Sequence, residues 1–201
     1  IGIYTQARGV DDFAAGARAL AAGGNSTAIG HGAAVLSGAA GSIAIGNGTG
    51  ADENVDTNCD GTADTLLAVD GARVACNVAD GIALGRGARV NAQAGMAYGV
   101  SATVTGRDGI ALGNLSSAGA FGFAGGYLAR ASGADSTALG SGAAATGASA
   151  AALGHQATAS GLQSLALGRG SSAINTNRLA LGVLSTVSGD RAAAIGSAAL
   201  A

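Results

Sequence analysis

The sequence predicts an all-β solenoid built from coils of about fourteen residues, each with two short strands. Three observations carry this prediction. A four-residue word, apolar-Ala-apolar-Gly, ends at Gly30, Gly46, Gly85, Gly99, Gly113, Gly140, Gly154, Gly168, Gly182 and Gly196. Within the word small and large side chains alternate, the period-two mark of a strand whose two faces meet different surroundings. Finally, the 201 residues include 37 glycines but no proline, and are 48 % hydrophobic and only 11 % charged, unlike a disordered glycine-rich tract.

Each position of the coil has a role. Take the glycine that closes each word as position zero. Alanine stands two residues before it, as in Ala28, Ala44, Ala83, Ala138 and Ala194. One residue before it stands a large side chain: Ile29, Ile45, Leu84, Tyr98, Leu112, Leu139, Leu153, Leu167, Leu181 or Ile195. Three residues after it the side chain is small again, as in Ala33, Thr49, Ala88, Ser116 and Ser171. Seven residues after it a second glycine is usual (Gly9, Gly23, Gly106, Gly147, Gly161, Gly189), with Asn175 in its place once. Glycine and asparagine tolerate positive φ, so this position reads as a corner.

Two strands folded back on each other leave a narrow interior that suits alanine, serine and glycine. Leucine and isoleucine then face outward as a continuous aliphatic stripe, which asks for self-association around an axis. The opposite assignment, large residues inside and alanines at a tight oligomer axis, is disfavoured on steric grounds. Phe13-Ala14-Ala15-Gly16 and Ile1-Gly2 extend the register toward the start of the chain. The stretch 115–135 is irregular: Ala120-Phe121-Gly122-Phe123-Ala124 reads as a degenerate copy, followed by a lengthened turn through Tyr127 and Arg130. At about 4.8 Å per coil, roughly twelve coils would make a rod of about 60 Å.

Residues 51–80 break the spacing between Gly46 and Gly85 and hold seven of the twelve acidic residues and both cysteines. They read as a loop or hairpin inserted into a single domain spanning 1–201. Insertions of this kind fall on an exposed, often binding, face. Cys59 and Cys76, seventeen apart in this one segment, predict a local disulfide and an oxidising compartment; two buried free thiols are the alternative. Asp56-Thr57-Asn58-Cys59-Asp60-Gly61 fits the opening of a calcium loop, with Asp56, Asn58, Asp60, Thr62 and Asp64 as candidate oxygen ligands for Ca2+. Leu67 stands where the bidentate glutamate belongs, which argues against an EF-hand; a solvated acidic turn is the plainer reading. His31 and His155 directly follow repeat glycines and read as polar corner residues.

Asn25-Ser26-Thr27-Ala28-Ile29-Gly30, Ser42-Ile43-Ala44-Ile45-Gly46, Ser136-Thr137-Ala138-Leu139-Gly140 and Ser164-Leu165-Ala166-Leu167-Gly168 resemble the head repeats of trimeric autotransporter adhesins, the YadA-like family. One copy is a weak motif; ten in nearly constant register are a strong one. The resemblance covers the chain except 51–80. It implies a left-handed parallel β-roll and a homotrimer. Ile29, Ile45, Leu84, Leu112, Leu139, Leu153, Leu167, Leu181 and Ile195 then fall to the trimer interface. It also implies an extracellular place at the outer surface of a Gram-negative bacterium, with membrane attachment only through a stalk and anchor barrel not visible here. The partners it implies are host extracellular matrix (collagen, fibronectin or laminin), cell-surface receptors, and sister bacteria in autoaggregation. Ile1 follows no basic, apolar-cored leader, so the chain reads as an excised head.

The remaining chemistry is sparse. No nucleophile elbow, HExxH, phosphate loop or CxxC occurs, so no enzyme is expected and no catalytic residue is named. The net charge is −2 and all ten basic residues are arginine, which gives no nucleic-acid footprint. A hexapeptide acyltransferase would have coils near eighteen residues, and an ice-binding solenoid needs a regular threonine array; neither pattern is present. A structural spacer of a surface or phage fibre is the alternative to an adhesin.

Overall fold

The computed structural model describes residues 1–48, 52–62, 65–68, 70–189 and 192–201. Every described element is a β-strand, and each coil contributes one three-residue strand from the word and one two-residue strand after the corner. The chain forms two compact units, Ile1–Asp108 and Gly109–Ala201. In the first, the word strands run in parallel register from Phe13–Ala15 through Thr27–Ile29, Ile43–Ile45 and Ile82–Leu84 to Met96–Tyr98. The second strands stack as Gln6–Ala7, Leu20–Ala21, Ala34–Val35, Arg73–Val74, Arg89–Val90 and Thr103–Val104. In the second unit, seven word strands run from Ile110–Leu112 to Ala193–Ile195, and six second strands from Ser117–Ala118 to Thr186–Val187. Together these make about twelve turns of a parallel β-solenoid.

The interior follows from side-chain size. The word alanines are sealed: Ala28, Ala44, Ala83, Ala111, Ala138, Ala152, Ala166 and Ala180 are all 0 % exposed. The second strands also point inward with Val35, Val74, Val90, Val104 and Val187, larger than the sequence reading allows, and with Ala131, Ala145, Ala159 and Ala173. Glycine makes the room. A Cβ on Gly81 would come within 2.8 Å of Val74 Cγ1, and one on Gly95 within 2.8 Å of Val104 Cγ1. In the coils with Ala131, Ala145 and Ala159 the same place holds Ser136, Ala150 and Ser164. These serines are satisfied locally: Ser136 Oγ donates to Gly133 O at 2.6 Å and Ser164 Oγ to Gly161 O at 2.8 Å.

Three sequence expectations change. The glycines seven after the word are not positive-φ corners: Gly9, Gly23, Gly147, Gly161 and Gly189 have ordinary φ. At Gly23, Gly147 and Gly161 the next coil's carbonyl presses on the position, so that a Cβ on Gly147 would run into Gly161 O; at Gly9 the Asp12 carboxylate fills that space. Positive φ falls instead on word glycines, such as Gly154 at +136°; two residues after them, where Ser101, Leu115, Leu128, Gln156 and Leu184 hold φ of 55–58°; and nine after them, inside the corner, where Ala94, Asp108, Asp135, Ser149, Gln163 and Asn177 hold 53–56°. The irregular stretch is a coil one residue short rather than one with a lengthened turn. Its word strand is Phe123–Gly125 closed by Gly126, thirteen after Gly113, and Arg130–Ala131 is an ordinary second strand. Finally, 51–80 is not all insertion. Asp52–Val55 and Thr65–Ala68 pair as an antiparallel hairpin, but Arg73–Val74 sits in the stack between Ala34–Val35 and Arg89–Val90. Ala72, fully buried, takes the small-residue place assigned to Thr49, which lies outside the described residues.

Candidate functional surfaces

The outer faces of the two sheets present opposite chemistries. On the word sheet, positions three and one before the glycine share the outer face because the alanine between them points in. Ile29, Ile45, Leu112, Leu139 and Leu167 are 37–45 % exposed, Tyr98 58 % and Ile195 68 %; Leu84, Leu153 and Leu181 are half-buried. Beside them run Ile43, Ile82, Met96, Ile110, Leu165 and Leu179, half-buried or exposed. All nine residues assigned to a trimer interface therefore lie on one outward face of their unit's word sheet. At Gly125 the column is interrupted, and Leu139 Cδ2 closes over the gap.

The second sheet is polar outside. In the second unit its outward positions are Ser117, Arg130, Ser132, Thr146, Thr158, Ser160, Ser172, Thr186 and Ser188, with Ala144 and Ile174 between them. In the first unit, Arg89 and the exposed Asn91 occupy the same positions. There, however, part of the face is covered: Leu20, Ala34 and Leu36 are buried, and Val55 of the hairpin packs against them together with Ala22 and Cys76.

The loop that closes the hairpin is built on Asp56. Its Oδ1 accepts from the amides of Cys59 at 2.6 Å and Asp60 at 3.2 Å, and its Oδ2 from Gly61 at 2.7 Å. Asn58 Nδ2 donates to Asp60 Oδ2 at 2.9 Å, and the Thr62 amide to Asp60 Oδ1 at 2.8 Å. Asp56, Asn58, Asp60 and Thr62 thus share one turn, with the Asp56 oxygens facing amide hydrogens; Asp64 lies outside the described residues. Among the described residues no three His, Cys, Asp or Glu side chains gather as a metal centre would require. Cys59 and Cys76 are joined, with Cα atoms 6.0 Å apart. His31 Nδ1 lies 2.8 Å from Gly48 O, and His155 is exposed in its corner.

The sequence matches the family model "YadA head domain repeat (2 copies)" over residues 7–33, 124–143, 145–171 and 179–199. The chain carries YadA-type head repeats. Among solved structures, the collagen-binding domain of the Yersinia adhesin YadA shares the fold, at TM-score 0.61 and 24 % identity over 77 % of this chain and 80 % of that one. No curated protein matches by sequence. The family-model matches flank the hairpin, so the hairpin, its loop and the disulfide fall outside the matched repeats.

What sequence reasoning missed is the hairpin's seat. The signal was present: Gly46-Asn47-Gly48 followed directly by Ala72-Arg73-Val74 reproduces Gly85-Arg86-Gly87-Ala88-Arg89-Val90, which marks where the coil is broken and resumed.

Proposed function

We propose that this head is the binding part of a bacterial surface adhesin that acts as a homotrimer outside the cell. The observation that carries the reading is the contrast between the sheets: columns of leucine and isoleucine on the outer face of the word strands, and serine, threonine and arginine on that of the second strands. Three chains meeting through their word sheets take the aliphatic columns out of water and leave three polar sheets outward. Those outward sheets, with the hairpin loop, meet the target. The likeness to a collagen-binding domain supports extracellular matrix, collagen first, as that target. Three copies of one face, each repeated coil after coil, turn weak contacts into avidity.

The test is binding of the chain to immobilised collagen, fibronectin and laminin and to host cells, alongside Leu153→Glu/Leu167→Glu, which puts carboxylates on the aliphatic columns. The expected result is saturable binding by the parent chain and loss of avidity in the variant. A trimer that binds none of these targets would overturn the adhesin reading in favour of a fibre spacer.

A further inference from the structure

The disulfide does not staple the hairpin to itself. Cys59 lies in the loop 56–62, whereas Cys76 belongs to a coil, two residues after Arg73–Val74. The bridge therefore joins an appended element to the wall of the solenoid. That wall carries a seat shaped for the loop. In the coils closed by Gly46 and Gly85, the corner after the second strand (36–41 and 75–80) is two residues longer than in the coils closed by Gly99 or Gly154. The two long corners stack: the Asn77 amide donates to Ser37 O at 2.9 Å and the Asp80 amide to Ala40 O at 2.9 Å. The loop rests on them. The Ser37 amide donates to Thr57 O at 3.1 Å, Arg8 Nη1 donates to Thr57 Oγ1 at 3.1 Å, and Thr57 is 0 % exposed.

The coil under the bridge is also held by its own pairing and packing. Arg73–Val74 is paired on both sides, and Val74 is packed inside the roll. The loop's other side is open: Asn58, Asp60, Gly61 and Thr62 are exposed, and Cys59 itself holds φ +67°, a backbone conformation unfavourable for a residue with a Cβ.

We propose that Cys59–Cys76 is a thiol-exchange latch. Its substrate is a dithiol, either a small molecule or the paired cysteines of an oxidoreductase. One thiolate of the dithiol attacks a sulfur of the bridge and displaces the other cysteine as a thiolate, which takes up a proton. The second thiolate of the dithiol resolves the mixed disulfide, so the bridge ends as two thiols and the reductant as a disulfide. Reduction frees the loop 56–62 from its seat on the long corners, while the coils stay paired. This inference does not depend on what the head binds.

The test is hydrogen exchange read by mass spectrometry on the whole chain, oxidised, treated with dithiothreitol, and as Cys59→Ser/Cys76→Ser, with thiols counted by alkylation and far-UV circular dichroism recorded in parallel. The expected result is that reduction goes to completion in native buffer. Amides in 56–62, with that of Ser37, then exchange about tenfold faster or more, those of Leu36, Gly41 and Arg73–Val74 stay protected, and reoxidation restores the first pattern. Three results would each overturn the proposal: a bridge that resists dithiothreitol until the coils unfold, a loop equally protected after reduction, or coils that lose protection with it. The double serine variant should behave as the reduced chain does, and its unfolding would count against the latch.

Discussion

Glycine occupies this solenoid for two different physical reasons, and substitution separates them. Gly154 has φ +136°, and a Cβ there would lie 2.6 Å from Gly168 O of the next coil. Gly142 has φ +67°, with only Gln156 Cγ near at 3.4 Å. Gln156 and Leu128 hold φ of 55° at the same place in other coils, so a side chain is tolerated there. Gly154→Ala should therefore cost about 3 kcal/mol and Gly142→Ala about 1 kcal/mol, measured as the fall in thermal stability of two otherwise identical chains. Equal losses would contradict the assignment. Sequence shows the glycines but not their reasons, which is why those seven after the word read as positive-φ corners: a contact with the next coil's carbonyl leaves no mark in one coil's own residues. The alternation of Ala28 with Ile29, or Ala166 with Leu167, was legible because size alone decides which of two neighbours fits a narrow interior. Val90 and Val104 were not legible as interior residues until Gly81 and Gly95 were seen across from them.

At the scale of elements, a coil interrupted by a hairpin should tolerate losing it. Deleting 49–71 joins Gly48 to Ala72 and recreates the spacing of Gly87 and Ala88. The shortened chain should keep its far-UV spectrum and cooperative unfolding. It should lose about 1–3 kcal/mol, because Leu36 and Ala34 lose the cover that Val55 helps to give. Loss of cooperative unfolding would show that the hairpin is needed to nucleate the stack. The insertion was legible from its break in period, its acidity and its cysteines. Its C-terminal boundary was not, because Arg73–Val74 is too short to stand out and its pairing to Ala34–Val35 crosses the whole insertion. The short coil from Gly113 to Gly126 was misread for a related reason: one missing residue shifts the word, and Gly125 in place of a large residue hides it.

At the scale of the whole molecule, the central claim is that the aliphatic columns of the word sheets exist to be covered by other copies of the chain. Burying one such leucine contributes on the order of 1 kcal/mol, but the column repeats through successive coils and the contributions accumulate. Leu153→Glu/Leu167→Glu should abolish assembly while leaving the alanine-lined interior of each coil intact, and the isolated chain should then bind a hydrophobic dye that the assembled one excludes. The period and the outward stripe were legible in the sequence. The target of the polar face was not, because the repeat leaves the side chains of that face, such as Arg130, Thr146 and Thr158, free to vary. The most direct measurement is molar mass by light scattering after size exclusion, over a hundredfold range of dilution. The account predicts a constant mass three times the 18.6 kDa of one chain. A folded species of one chain's mass at every concentration would contradict it.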